Sequence, residues 1–295
     1  MGLVHSDICG PMSTESLGGA RHLVTFIDDS SRYTETVMLR NRSDVLEAFK
    51  NYKRKVENYT GQRIKVLRTD NGKEYVSNAF KNFLKKEGVS RQLSVEYTPQ
   101  QNGVAERANR TLVEMARCMK LQADLPDSLW AEMINTATYL RNRCATKSLD
   151  GITPFEAWTG RKPYVGFFRT IGSKVIALNK RYNRGKFRPK GDEYVMVGYS
   201  DESKACRIWK RGTKNVIKAR DVKFFEKIMP DEERSRDLFQ IQVKMETEFK
   251  RSRGRPKLLR TGQVGRPKKI YNMERAELAD PMTVDEIIRR RDKQV

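Results

Sequence analysis

The chain has 295 residues, 38% of them hydrophobic and 33% charged, which is enough apolar material for a folded core beneath a very polar surface. Its formal charge of +22 draws polyanions, and nucleic acid is the partner class it favours. No apolar run reaches the roughly 18 residues a spanning helix needs, and the start, MGLVHSDICGP, lacks the basic and apolar regions of a signal peptide.

Leu3–Ile8 is a short apolar stretch that carries Asp7. Arg21–Asp28 (RHLVTFID) and Tyr33–Leu39 (YTETVML) alternate like strands, and the turn residues Asp29, Ser30, Ser31 and Arg32 between them predict a hairpin. Ser43 or Asp44 then caps a helix in which Val45, Leu46, Phe49, Tyr52 and Val56 recur at helical spacing, with Gly61 as its stop. Arg63–Arg68 reads as a strand and Asp70-Asn71-Gly72 as the turn after it. Asn78–Glu87 predicts a helix ended by Gly88, and Val89–Leu93 a short strand. The run YTPQQNGVAERANRTL (97–112) passes from turn chemistry into a helix over about Val104–Gln122, with Glu106 in its first turn. Pro126 opens another helix with Leu129, Trp130, Met133, Ile134, Ala137 and Leu140 on its apolar stripe. This order predicts an α/β fold with a mixed sheet: the hairpin is antiparallel and the crossovers are parallel.

After Pro163 the pattern changes. Ser173–Leu178, Glu193–Tyr199, Ala205–Lys210, Asn215–Lys218 and Val222–Phe225 are short strands at regular spacing, which predicts a small antiparallel β-barrel-like module. Beyond Met229 the periodicity fades, and residues 250–269 hold nine Lys or Arg and no Asp or Glu, the composition of a solvated, disordered tail. The expected divisions are therefore 1–163, with a helical extension from about 124, then 164–228, then 229–295. The cysteines Cys9, Cys118, Cys144 and Cys206 form no CxxC pair, and with only His5 and His22 no structural zinc site of ordinary spacing is visible.

Three acids could share a site. If the first and fourth strands are parallel neighbours, Asp7 and Asp70 emerge side by side, and a docked helix adds Glu106. Converging carboxylates repel one another and call for a cation; oxygen donors suit Mg²⁺ or Mn²⁺, and two such ions can clamp the oxygens of a phosphodiester displacement. The competing reading is three unrelated surface acids, each serving a turn or a helix start. Asp28, Asp29 and Glu74 are rival acids, the first two at a hairpin tip where a structural role is expected.

The runs HSDICGP (5–11), TDNGKEY (69–75) and YTPQQNGVAERANRT (97–111) resemble the catalytic core of copia-type retrotransposon integrases, which share an RNase H-like fold with retroviral integrases and DDE transposases. The 35 residues between Asp70 and Glu106 match that family's spacing. DSLWAEMINTATYLRNR (127–143), TPFEAWTGRKP (153–163) and segments of 186–209 extend the resemblance over roughly residues 1–226. It implies a metal-binding triad of Asp7, Asp70 and Glu106, an RNase H-like five-stranded sheet, DNA as partner, two divalent ions, a homo-oligomer when active and a nuclear location. No membrane or small-molecule partner is implied. Asn109 and Arg110, three and four residues beyond Glu106, share its helix face and are expected to meet the DNA end.

The same resemblance implies a His₂Cys₂ zinc module ahead of the core, which this sequence lacks. LADPMTVDEIIRRRDKQV at the end resembles a linker toward reverse transcriptase. An excised piece of a Pol polyprotein, a truncated gene model or a domesticated remnant is expected. RGRPK (253–257) and VGRPKK (264–269) resemble AT-hooks and bring Arg253, Arg255 and Arg266 forward as minor-groove contacts; a plain basic linker or a nuclear-import signal uses the same residues. The leading expectation is an integrase core acting on DNA. A DNA-binding remnant without chemistry and an RNase H-like nuclease that only hydrolyses are the alternatives.

Overall fold

A computed structural model describes residues 2–93, 102–178 and 190–225. The chain divides into two compact units, Met1–Ile241 and Gln242–Val295, and every described residue belongs to the first. Arg253, Arg255 and Arg266, the loop residues 97–101 and the tail all lie outside the described residues.

The first sheet contains β1 (Leu3–Cys9), β2 (His22–Asp28), β3 (Thr34–Leu39), β4 (Val66–Thr69) and β5 (Ser90–Leu93). Their spatial order is β3-β2-β1-β4-β5. β1–β2 and β2–β3 are antiparallel, while β1–β4 and β4–β5 are parallel, so the sheet is mixed as the element order predicted. The helices between the strands are α1 (Val45–Thr60), the single turn α2 (Lys73–Val76) and α3 (Asn78–Glu87). Phe49, Tyr52 and Val56 of α1 and Phe80 and Leu84 of α3 pack with Val4, Val24, Phe26 and Leu67 on one face of the sheet. Ser77 caps α3, its hydroxyl accepting from the Phe80 amide. Gly61 ends α1 in the left-handed conformation.

β4 begins three residues later than the predicted strand. Ile64 is 2% exposed and packs in the core, but its amide donates to the Glu57 side chain at 2.9 Å rather than to a neighbouring strand.

The opposite face receives α4 (Gly103–Gln122) and α5 (Trp130–Asn142), the latter entered through a 3₁₀ turn at Asp127–Leu129. α6 (Pro154–Thr159) has Thr153 as its cap and Pro at its first position. The second sheet is wholly antiparallel, in the order β10-β6-β7-β8-β9. Its strands are β6 (Lys174–Leu178), β7 (Gly191–Tyr199), β8 (Cys206–Trp209), β9 (Val216–Ala219) and β10 (Val222–Phe225).

The two sheets share a core through α5. Leu23 of β2, Leu112 and Ala116 of α4, Leu129, Met133 and Ala137, and Val195, Val197 and Trp209 form one buried cluster. Polar bonds register the contact. Arg207 grips Glu132 with both nitrogens, Nε at 2.6 Å and Nη2 at 2.7 Å. Thr136 Oγ1 donates to the Val197 carbonyl at 2.8 Å, and a Cβ on Gly198 would lie 2.3 Å from that hydroxyl, so only glycine fits there.

Candidate carboxylate site

Alternation along β1 puts His5 and Asp7 on the α4 side and Val4 and Ser6 on the other. There Ser6, fully buried, meets Tyr75 Oη at 2.6 Å and pins the strand from behind. The β1–β4 register pairs Leu3 with Val66, Val4 with Leu67 and His5 with Arg68. The offset of 63 (66 − 3), carried two residues further, sets Asp7 level with Asp70. Two acids thus leave neighbouring parallel strands at the same height and on the same face.

Asp70 stands just past β4, where its Oδ1 accepts the Gly72 amide at 3.1 Å. A Cβ at Gly72 would lie 2.8 Å from Glu74 Oε2 and 3.0 Å from Asp70 Oδ1. Any side chain there would press on both carboxylates. Glu106 is exposed in the first turn of α4, where a negative charge also suits the helix dipole.

Asp7 bears the electrostatic consequence. Its pKa is raised to about 6, first by burial, with the charges of Asp70 and Glu106 adding to the rise and a hydrogen bond from Asn109 opposing it. That bond runs from Asn109 Nδ2 to Asp7 Oδ2 at 2.9 Å, and the Thr25 hydroxyl donates to Asn109 Oδ1. Thr25 is the direct cross-strand partner of Asp7. A carboxylate only accepts, so the amide must present its NH₂ to Asp7 and its carbonyl to Thr25.

The expected pairing of Asn109 and Arg110 on one DNA-facing surface divides. Arg110 is exposed, whereas Asn109 is 5% exposed and turned inward onto Asp7. Thr25 was not visible as a site residue in the sequence, because its place beneath Asn109 depends on the β1–β2 register.

The rival acids are otherwise occupied. Asp28, 2% exposed, accepts from the Ser31 amide and from the Ser30 and Ser31 hydroxyls. Asp29 pairs with Arg32 at 3.1 Å and with His5 at 2.8 Å, and Glu74 pairs with Arg42 at 3.1 Å. The ion pairs found among the described residues include none to Asp7, Asp70 or Glu106.

The donor chemistry fits a hard divalent cation: the available ligands are carboxylate oxygens, and Asp7 sits where negative charge is in excess. Among the described residues no three His, Cys, Asp or Glu side chains are gathered within ligating reach of one point. No helix among them is long and apolar enough to cross a membrane.

Comparison with known proteins gives the family. Residues 1–99 match the family described as integrase core domain, and residues 173–237 match the retroviral polymerase SH3-like domain. The retrovirus-related Pol polyprotein from transposon TNT 1-94 of Nicotiana tabacum is 40% identical over 224 residues, covering 76% of this chain and 17% of its own length. The corresponding polyprotein from transposon RE2 of Arabidopsis thaliana is 32% identical over 215 residues, covering 73% of this chain and 15% of its own length. The chain therefore spans about a sixth of these relatives. The crystal structure of the catalytic core domain of BIV integrase superposes with a TM-score of 0.40 at 21% identity, over 54% of this chain and 93% of that one.

Proposed function

From the premise that this chain carries an integrase core domain and a retroviral polymerase SH3-like domain, the integrase region of a copia-type Pol polyprotein, we propose that it cleaves DNA ends and joins them to target DNA. The observation that carries this reading is the register that sets Asp7 level with Asp70.

In this reading Asp7, Asp70 and Glu106 would hold divalent metal, Mg²⁺ or Mn²⁺, as two ions. Bound there, such ions would supply positive charge against the phosphate and make the attacking water or hydroxyl more acidic. The chain's own residues prepare the site. Asn109 fixes one oxygen of Asp7, and the Gly72 amide fixes one oxygen of Asp70. Arg110, exposed one turn beyond Glu106, meets a DNA phosphate. Element ends and target DNA are the two substrates, the active species is a homo-oligomer, and the work is done in the nucleus.

The test is strand transfer of a labelled DNA end with Mn²⁺, comparing wild type with Asp70→Asn. Joined product from wild type alone supports the reading. Equal yields remove it in favour of a nucleic-acid-binding remnant. Hydrolysed ends without joining leave a nuclease.

A further inference from the structure

A second cluster of charge, drawn from β4, the β2–β3 turn and α5, is not used by the carboxylate chemistry. It begins at Arg68, the cross-strand neighbour of His5 and two residues before Asp70. His5, 1% exposed, donates through Nε2 to Asp29 Oδ1 at 2.8 Å, and Arg32 Nη1 reaches the same oxygen at 3.1 Å. The Thr34 hydroxyl donates to the Arg32 carbonyl at 3.2 Å and accepts from Arg141 Nη1 at 2.5 Å. Arg32 and Arg141 are thus linked through Thr34, Arg32 shares Asp29 with His5, and Arg68 stands beside His5 on the neighbouring strand, near enough for its charge to act on His5 and Asp29.

Of these guanidiniums only Arg32 is paired with a carboxylate among the described residues. Arg141 makes no ion pair with a carboxylate among the described residues, and Arg68 spends two nitrogens on the neutral Gln92 side chain, at 3.1 and 2.8 Å. Burial and the nearby Arg32 both hold the Arg141 guanidinium below its usual range. Such a group gains from an anion that brings acceptor oxygens. A strand rises about 3.3 Å per residue, so Arg68 stands about 6.6 Å along β4 from Asp70. That is near the separation of successive phosphates along a nucleic-acid strand.

We infer that Arg68, Arg32 and Arg141 form a track for the phosphodiester backbone of a DNA strand leading away from the carboxylate site. The inference rests on the integrase reading for the identity of the strand. A run of guanidiniums leading away from the reacting position suits a polymer of phosphates better than a single free anion.

The experiment titrates the full chain with a fluorescent DNA oligonucleotide at several salt concentrations. Each neutralised phosphate contact contributes about 0.9 to the slope of log K against log salt. Arg32→Gln/Arg68→Gln is expected to lower the slope by about 1.8, and adding Arg141→Gln by about 0.9 more. Arg141 also braces Thr34, so the double variant is the deciding one, and its melting temperature is measured alongside. A wild-type slope in a folded double variant overturns the track. Inorganic phosphate that displaces the oligonucleotide equally from wild type and from the double variant overturns it as well. Loss of joining in Asp70→Asn together with a wild-type slope in the double variant would remove the track and keep the integrase reading. A reduced slope in the double variant with full joining by Asp70→Asn would do the reverse.

Discussion

Asn109 and Asp7, 102 residues apart in sequence, are joined by a 2.9 Å hydrogen bond whose direction is fixed by the Thr25 hydroxyl behind the amide. The bond favours the ionised form of Asp7 against burial and two neighbouring acids. Asn109→Ala is therefore expected to slow strand transfer about 10- to 100-fold, the equivalent of roughly 1.5–3 kcal/mol for a hydrogen bond to a charged group. The acidic limb of the pH–rate profile should move to higher pH. Thr25→Val, which leaves the amide in place but unbraced, should move both in the same direction by less. Wild-type rate and profile in Asn109→Ala would contradict this role.

Asp7 should weaken the metal-free fold at neutral pH. Its folded pKa of about 6 lies above the ordinary value of 3.8. The folded state binds the proton more readily, so the favourable contribution is complete below 3.8 and lost as pH rises through 6. In chelator, Asp7→Asn is expected to raise the melting temperature by a few degrees at pH 7–8, on the order of 1–3 kcal/mol. The gain should vanish near pH 4. Calorimetry across that range checks it, and a variant less stable than wild type at pH 7.5 would refute it.

At Gly72 the expected effect is on activity more than on stability. An added Cβ meets the carboxylate ends of Glu74 and Asp70, which can move, rather than backbone. Gly72→Ala should lower joining about tenfold by displacing Asp70, a loss of roughly 1.4 kcal/mol, with a melting temperature close to wild type. A variant that melts early and joins normally would reverse that assignment.

The grip between Arg207 and Glu132 predicts a non-additive pair. Their side chains are 26% and 14% exposed, so removing either leaves a largely desolvated charge alone. Arg207→Met or Glu132→Leu alone should destabilise by about 2–4 kcal/mol, and the double variant should recover most of the loss. Denaturant titration of the double-mutant cycle measures this; simple addition of the two losses would exclude the coupling.

Local pattern carried much of the fold. The alternation in RHLVTFID and YTETVML and the helical spacing of Val45, Phe49, Tyr52 and Val56 lead to the elements observed. The closeness of Asp7 and Asp70 followed once β1 and β4 were taken as parallel neighbours, which they are. Contacts that depend on three-dimensional register were beyond reach. Thr25 and Asn109 meet only because α4 crosses β2 at that height. The single-turn α2 is too short to show a period, and α6, itself under two turns, was read only as part of the TPFEAWTGRKP motif. Thr136 interrupts no apolar stripe in α5, yet it is buried against β7 where Gly198 makes room.

The core shared by α5 and the second sheet has a consequence for how such a chain changes over generations. Met133 and Ala137 are covered partly by Val195, Val197 and Trp209, residues encoded well downstream. A genetic exchange falling between α6 and β6 would pair an α5 shaped for one partner with a β7 shaped for another. Gly198 against Thr136 leaves almost no tolerance for such a mismatch. The two sheets are therefore expected to be inherited together, with compensating substitutions at Thr136 and Gly198 and at Glu132 and Arg207, rather than reshuffled as independent pieces.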